Sequence, residues 1–146
     1  DMPFCTACTT PCAMLCELKY PKLKEALDKL RKCSGVVAVS PVYFGTVTGE
    51  VKAFWDLTRH LRIEKALYNK VGGAVAIGAS RFGGQETTIR SIHDIMLIHG
   101  MTIVGGSCDE AIGHYGAAFQ KPAENDEEGL KSLIRLCKRV CKLSAK

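Results

Sequence analysis

Long apolar runs are missing from this sequence: no hydrophobic stretch approaches the ~20 residues a membrane-spanning helix needs. Also missing is any stripe of basic residues interleaved with aromatics. The 20 Lys and Arg are dispersed against 15 Asp and Glu, and the net charge of +5 is mild. That pattern reads as solvated helix faces and speaks against nucleic-acid binding. No Ser-His-Asp set and no paired carboxylates stand out, so the common hydrolytic constellations are absent. No internal repeat or inter-domain linker is visible. The expectation is one domain over residues 1–146, long enough to bury a real core. No signal-peptide pattern opens the chain, although Asp1 rather than Met stands first, which leaves upstream processing open. With 47% hydrophobic and 24% charged residues, the expected class is a soluble globular, cytoplasmic protein.

What the chain has in excess is cysteine. Four of its eight lie in the first sixteen residues, at Cys5, Cys8, Cys12 and Cys16. A disulfide scaffold would spread its cysteines through the short loops of a small secreted chain. The tight cluster, in a segment of irregular pattern over residues 1–17, points to a metal instead. Four thiolates on one turn-rich run suit a single iron-sulfur cluster or a tetrahedral zinc ion, and spacing alone leaves the two nearly even. Cys137 and Cys141 share a helix face with Leu130, Leu133, Ile134 and Val140, and read as buried packing residues. Cys33 and Cys108 read the same way.

Helix and strand signals alternate along the rest. Pro21 opens a helix in its first turn, where a missing N–H costs nothing, and Leu23, Ala26, Leu27 and Leu30 repeat at helical spacing. Gly35 to Val39 is a β-branched apolar run, expected to be a strand buried on both faces. A helix follows from near Gly49 to near Leu61, with Val51, Phe54, Trp55 and Thr58 on one side. Residues 62–70 are polar and read as a loop. Val71 to Gly78 is the second strand, Gln85 to His99 a helix closed by Gly100, and Met101 to Val104 a third strand. Gly105 to Lys121 is a long Gly-rich segment, which in a compact domain signals function or flexibility. Asn125 or Asp126 caps a last helix, acidic at its start and basic at its end. His93 and His99 read as structural or exposed. Such alternation predicts a parallel sheet covered by helices.

Two loops follow the carboxyl ends of the first two strands, where open α/β sheets bind ligands. The first holds Ser40, Pro41, Val42, Tyr43, Phe44, Gly45 and Thr46. Its aromatics can flank a flat ring, and Gly45 leaves backbone N–H groups open. The second holds Ala79, Ser80, Arg81, Phe82, Gly83, Gly84, Gln85 and Glu86. Its glycines let backbone approach a ring, and the helix start favours an electron-rich edge. Arg81 reads equally as a ring contact or a solvated side chain.

The string Ser40 to Gly45, with Lys52 and Asp56 on the following helix, resembles the flavin-binding loop of the iron-sulfur flavoproteins. These belong to the flavodoxin-like NADPH-dependent FMN reductase superfamily, together with the quinone reductases related to the tryptophan-repressor-binding protein. Gly-Gly-Gln-Glu-Thr-Thr at 83–88 resembles a second element of that superfamily, and His114-Tyr115-Gly116 a third. Leu57 departs, since many relatives carry Arg there. The cysteine spacing departs too: the family's run is tighter between its second and third Cys and more open before its fourth.

The resemblance covers nearly the whole chain. It implies a flavodoxin-like three-layer α/β/α parallel sheet that lacks its N-terminal β-α-β unit here, the unit whose first loop holds the FMN phosphate. It implies FMN beside the two loops, His114 and Tyr115, and a [4Fe–4S] cluster on Cys5, Cys8, Cys12 and Cys16. It further implies electron transfer from a donor such as ferredoxin, in a homodimer or tetramer. Two rivals stand beside this reading. One is an NAD(P)H-dependent FMN or quinone reductase with a structural four-cysteine zinc site. The other is a non-catalytic subunit that has lost its flavin.

Overall fold

The computed structural model of the chain describes residues 2–109 and 111–145; Asp1, Glu110 and Lys146 lie outside them. Its elements in order are α1 (Leu15–Lys19), α2 (Pro21–Lys32), β1 (Gly35–Pro41), α3 (Gly49–Leu57), α4 (Arg59–Ile63), β2 (Val71–Gly78), α5 (Gln85–Ile98), β3 (Thr102–Ile103), β4 (Ala117–Gln120) and α6 (Glu127–Ser144).

The sheet is parallel and centred on β2. One edge of β2 pairs with β1 from Gly35↔Val71 to Pro41↔Ile77. Its other edge pairs with β3 at Val71↔Thr102 and with β4 from Val75↔Ala117. The strand alternates its side chains between two cores, as the pleat requires. Ala74 and Ala76 join Trp55, Ile89, Ile92 and Met96 on one face, under α3 and α5. Val71 and Val75 join Leu136 and Val140 on the other, under α6. A third cluster of Leu23, Leu27, Leu57 and Leu61 binds α2 to α3 and α4. The result is helix, sheet and helix in three layers.

Local signals set most boundaries. Pro21 stands at the first position of α2. Thr48 caps α3 by accepting from Val51 N. Asp126 caps α6 by accepting from Gly129 N at 2.8 Å and also takes the Gln120 N–H at 2.7 Å, tying the helix start to β4. Gly100 closes α5 with φ +72°.

The structure corrects several expectations. A fourth strand, β4, lies inside the Gly-rich segment. It continues the edge that β3 begins, so 104–116 interrupt what would otherwise be one strand along β2. Only four residues long, it alternates with Ala117 and Phe119 buried. β1 is half-buried, with Val39 49% exposed, because among the described residues it has a neighbour only on the β2 side. The helix after the first loop divides at Thr58 into α3 and α4, and the irregular N-terminal segment ends in the short α1. Cys141 is exposed and Cys137 only partly covered, because α6 buries the stripe through Gly129, Leu136 and Val140. Leu130 and Ile134 stay outside with them. Among the described residues, no helix is long and apolar enough to cross a membrane.

His99 is structural. The Thr58 hydroxyl donates to Trp55 O at 2.6 Å, so the His99 Nε2–H must donate to Thr58 Oγ1 at 2.8 Å. Burial, and secondarily the Arg62 charge, hold the His99 pKa below its ordinary value. A depressed imidazole pKa means the folded chain binds fewer protons than the unfolded one near pH 6. Stability is therefore full above ~6.5 and falls as pH drops below it. The melting temperature should decline from pH 7.5 to 5.5. In His99→Gln the decline should be shallower, with a residual slope from His93, which shifts the same way. Thermal melts across that range check both.

Candidate functional site

Both candidate loops stand at the carboxyl ends of β1 and β2. Ser40 at the end of β1 is fully buried. Its Oγ accepts from Thr48 N at 3.1 Å and donates to Pro41 O at 2.8 Å, so the side chain braces the loop from inside. Val42 N donates to Ile77 O at 2.9 Å, which extends the β1–β2 pairing into the loop. Tyr43 and Thr46 exchange backbone bonds of 3.0 and 3.1 Å around a tight turn, with Phe44 at φ +51° and Gly45 at φ +75°. The turn thrusts both aromatics outward: Tyr43 is 57% exposed and Phe44 fully so. Thr46 Oγ1 donates to Ser91 Oγ at 3.1 Å, anchoring the loop to α5.

The second loop is shaped by Gln85. Its Oε1 accepts from Gly83 N at 2.9 Å, and its Nε2 donates to Ser80 O at 2.6 Å and to Phe119 O at 3.1 Å. Gln85 is thus an inward brace that links the loop to β4. Gly84, at φ +88°, precedes α5 and lies against Gly45: an added Cβ would stand 3.1 Å from the Gly45 Cα. The two loops therefore touch backbone to backbone at a point where neither carries a side chain. Phe82 projects into solvent with the Arg81 guanidinium 5.7 Å from its ring centroid. Ala79 and Ser80 are exposed.

Arg81, Gln85 and Glu86 share a groove with His114 and Tyr115, beside β4 and the start of α6. Residues 40–46 are not among its walls; they meet the second loop at Gly45 and Gly84. His114 and Tyr115 arrive there on the segment between β3 and β4, held by Gly106 N donating to His114 O at 2.8 Å. Gly116 passes so close to the Ala74 carbonyl that no side chain would fit.

Cys5, Cys8, Cys12 and Cys16 line one recess with Met14, Glu17, Asp56, Arg59 and His60. All four are free thiols; Cys5 and Cys8 are exposed, Cys12 and Cys16 partly covered. The Cys16 thiol pKa is pushed up, first by burial and then by the neighbouring Cys8, Cys5 and Cys12. Thiols close enough to repel one another as anions are a donor set that a soft cationic centre would relieve. In this conformation no three His, Cys, Asp or Glu side chains among the described residues are close enough together to hold a metal ion. Four thiols suit a cluster of several irons or a tetrahedral zinc ion alike, and the segment would have to close further around either.

The recess walls include Asp56 and Leu57 at the end of α3, whereas the aromatic loop leads into its start at Thr48 and Gly49. Nine helical residues at 1.5 Å each separate the two sites by about 13 Å along the helix. Sequence reasoning missed Glu17, Arg59 and His60 as neighbours of the cysteines. Glu17 follows Cys16 in the chain, whereas only the packing of α4 against the segment brings Arg59 and His60 there.

Relatives and solved structures of known name resemble this chain. A family profile described as NADPH-dependent FMN reductase matches residues 1–110. An iron-sulfur flavoprotein from Methanocaldococcus jannaschii is 46% identical over 123 residues, covering 82% of this chain and 63% of that protein. Another, from Methanosarcina thermophila, is 41% identical over 120 residues, covering 82% and 60%. An NAD(P)H dehydrogenase (quinone) from Chromohalobacter salexigens is 42% identical over 114 residues, covering 66% and 57%. The chain thus spans about three fifths of the length of these curated relatives. Among solved structures, a WrbA-like flavodoxin from Agrobacterium tumefaciens superposes with a TM-score of 0.72 at 19% identity, covering 84% of this chain and 73% of that one. An apo NADH:FMN oxidoreductase (EmoB) superposes with a TM-score of 0.64 at 21% identity, covering 92% and 65%. The two superpositions give the flavodoxin-like fold, and the profile over residues 1–110 gives the family: this chain belongs to the NADPH-dependent FMN reductase family.

Proposed function

We propose that this chain forms the flavin- and cluster-bearing part of a flavin-dependent oxidoreductase, with FMN beside the two loops and a [4Fe–4S] cluster on Cys5, Cys8, Cys12 and Cys16. The observation that carries the reading is the gathering of four thiols in one recess at the end of α3 whose other end starts from the exposed aromatic loop. When bound, the flavin supplies one- and two-electron chemistry and the cluster single-electron chemistry.

The chain's own residues bind and orient. Tyr43, Phe44 and Phe82 offer aromatic surface to a flat ring. Gly45 and Gly84 bring backbone without side chains to the point where the two loops meet. The first amides of α5 have no carbonyl partner within the helix, so they can donate to an electron-rich ring edge. The relatives named iron-sulfur flavoproteins support the cluster, and the family supports the flavin. The proposed electron donor is a ferredoxin-type protein. The proposed assembly is a homodimer or tetramer in which the cluster of one copy approaches the flavin of another, and exposed Phe44, Phe82 and Ile112 offer apolar surface for contacts between copies. A second reading, NAD(P)H-dependent quinone reduction, is favoured by the similarity to the NAD(P)H dehydrogenase (quinone) relative.

Protein purified without oxygen should show flavin bands and a broad cluster shoulder, with iron and acid-labile sulfide in equal amounts. Cys8→Ala should remove iron and sulfide and keep the flavin. Stoichiometric zinc and no iron from iron-replete cells would end the cluster reading.

Gly84→Ala places a Cβ at a left-handed position, a cost of about 1–2 kcal/mol, and crowds Gly45. Urea denaturation should read that loss, and flavin retention on a desalting column should fall with it. Tyr43→Ala and Phe82→Ala should weaken FMN binding without lowering stability, since both side chains are exposed. Unchanged affinity in both would mean that the ring lies elsewhere.

A further inference from the structure

The cysteine segment makes few polar contacts with the rest of the fold. Beyond its own local turns, and among the described residues, residues 2–16 reach other elements through two such contacts. The Cys12 carbonyl meets His60 Nδ1 at 3.3 Å, and Met14 Sδ takes an Arg31 N–H at 4.0 Å. What lies behind both contacts is one guanidinium. Arg31 Nη2 donates to Glu17 Oε1 at 2.8 Å and Nη1 to Glu17 Oε2 at 3.0 Å, a two-pronged bond to the residue after Cys16. Its Nε donates to Glu64 Oε2 at 2.9 Å, and the other Glu64 oxygen meets His60 Nε2 at 2.7 Å. Nη1 also holds Asp28 at 2.9 Å.

These are tertiary links: Arg31 and Glu17 are 14 residues apart, Arg31 and Glu64 33, and His60 and Cys12 48. The Glu17 link is also sheltered, with the Glu17 side chain 7% exposed and Arg31 22%, whereas Glu64 is more open at 34%. A solvated surface pair would add little order. Here a buried carboxylate would be left without its cation if Arg31 were removed, and Glu17 would have to turn to water and carry Cys16 with it. The Glu64 carboxyl is held below its usual range chiefly by the Arg31 bond, as that geometry requires.

We propose that Arg31 is the positioning residue of the cysteine segment: through Glu17 it fixes Cys16, and through Glu64 and His60 it fixes Cys12. The proposal rests on the reading of the four thiols as cluster ligands. The role needs a planar, forked donor, because three carboxylates are held at once. A Lys ammonium keeps the charge and cannot reproduce the fork.

The test uses the cluster-loaded protein and follows iron transfer to a chelator without oxygen. Arg31→Met should release iron about tenfold or more faster than the unaltered chain. Flavin content should stay unchanged, and the melting temperature should fall, because the buried Glu17 carboxylate loses its cation. Arg31→Lys should fall between the two, and Asp28→Asn, which touches Arg31 but not the segment, should release iron at the unaltered rate. Equal rates in Arg31→Met and the unaltered protein would overturn the proposal.

A second measurement is independent of the cluster. In metal-free protein, iodoacetamide labelling of Cys12 and Cys16 is read by mass spectrometry against exposed Cys141. Arg31→Met should speed both, whereas Glu64→Ala, which cuts only the His60 limb, should speed Cys12 alone. Unchanged labelling in both variants would also overturn it. If the unaltered protein carries no iron or sulfide, the cluster reading fails by itself, and the labelling still decides whether Arg31 orders the segment.

Discussion

The near-complete burial of β2 is the constraint on which the rest of this structure depends. Both of its faces are covered by helices and both of its edges are bonded to parallel neighbours. Small residues make this work. A Cβ on Gly72 would stand 2.7 Å from Met96 Sδ of α5, and one on Gly73 would stand 3.1 Å from Leu136 of α6. A side chain at either would force Met96 or Leu136 to repack between sheet and helix. Because β2 is pinned in this way, its carboxyl end delivers the Ala79–Gly84 loop to one place, and β1, in register with it over seven pairs, delivers the Ser40–Thr46 loop beside it.

Around that strand the molecule separates two kinds of site. At one end of α3 the chain offers aromatic rings, glycine backbone and helix-terminal amides. At the other it offers sulfur, carboxylates and imidazole. The helix sets the spacing between them. The first site is braced from beneath by the buried Ser40, and Gln85 ties its second loop to β4. The second is fixed from the side by a charged network. Rigid backbone suits the recognition of a planar ring, whereas four thiols need a segment that can close around what they bind.

The split strand adds a further element. One edge of β2 is served by β3 and β4, and the segment between them leaves the sheet and returns carrying His114 and Tyr115. Ties from α6 hold this excursion: Arg139 donates to Ser107 O, and Lys142 bonds Asp109 at 2.6 Å. An insertion in an edge strand disturbs one ladder only, so the sheet tolerates it.

Much of this architecture is local physics and was legible in the residues. Pro21, Gly35, Thr48, Gly84, Gly100 and Asp126 mark ends of elements through backbone geometry or missing and extra hydrogen bonds, effects that act within a few residues. The apolar run of β2 and the periodic stripes of α2 and α5 declare burial because they repeat at the period of the element. The cysteine run and the two Gly-rich loops also stand out, since each lies on a single short stretch. What the residues could not declare is what depends on contact between distant stretches. β4 is four residues long and pairs only because β2 is already in place. Cys141 lies off the buried stripe of α6 by a rotation that periodicity did not resolve, because apolar residues occupy two sides of that helix. Ser40 and Gln85 read as site residues in the sequence, and only the fold shows that their side chains brace the two loops. Arg31, Glu17, His60 and Glu64 are ordinary charged and polar residues up to 47 positions apart in the chain. Their joining into one network around the cysteines is a matter of tertiary approach, because hydrogen bonds of about 3 Å are decided by where the helices pack, and no period or spacing along the chain encodes that distance.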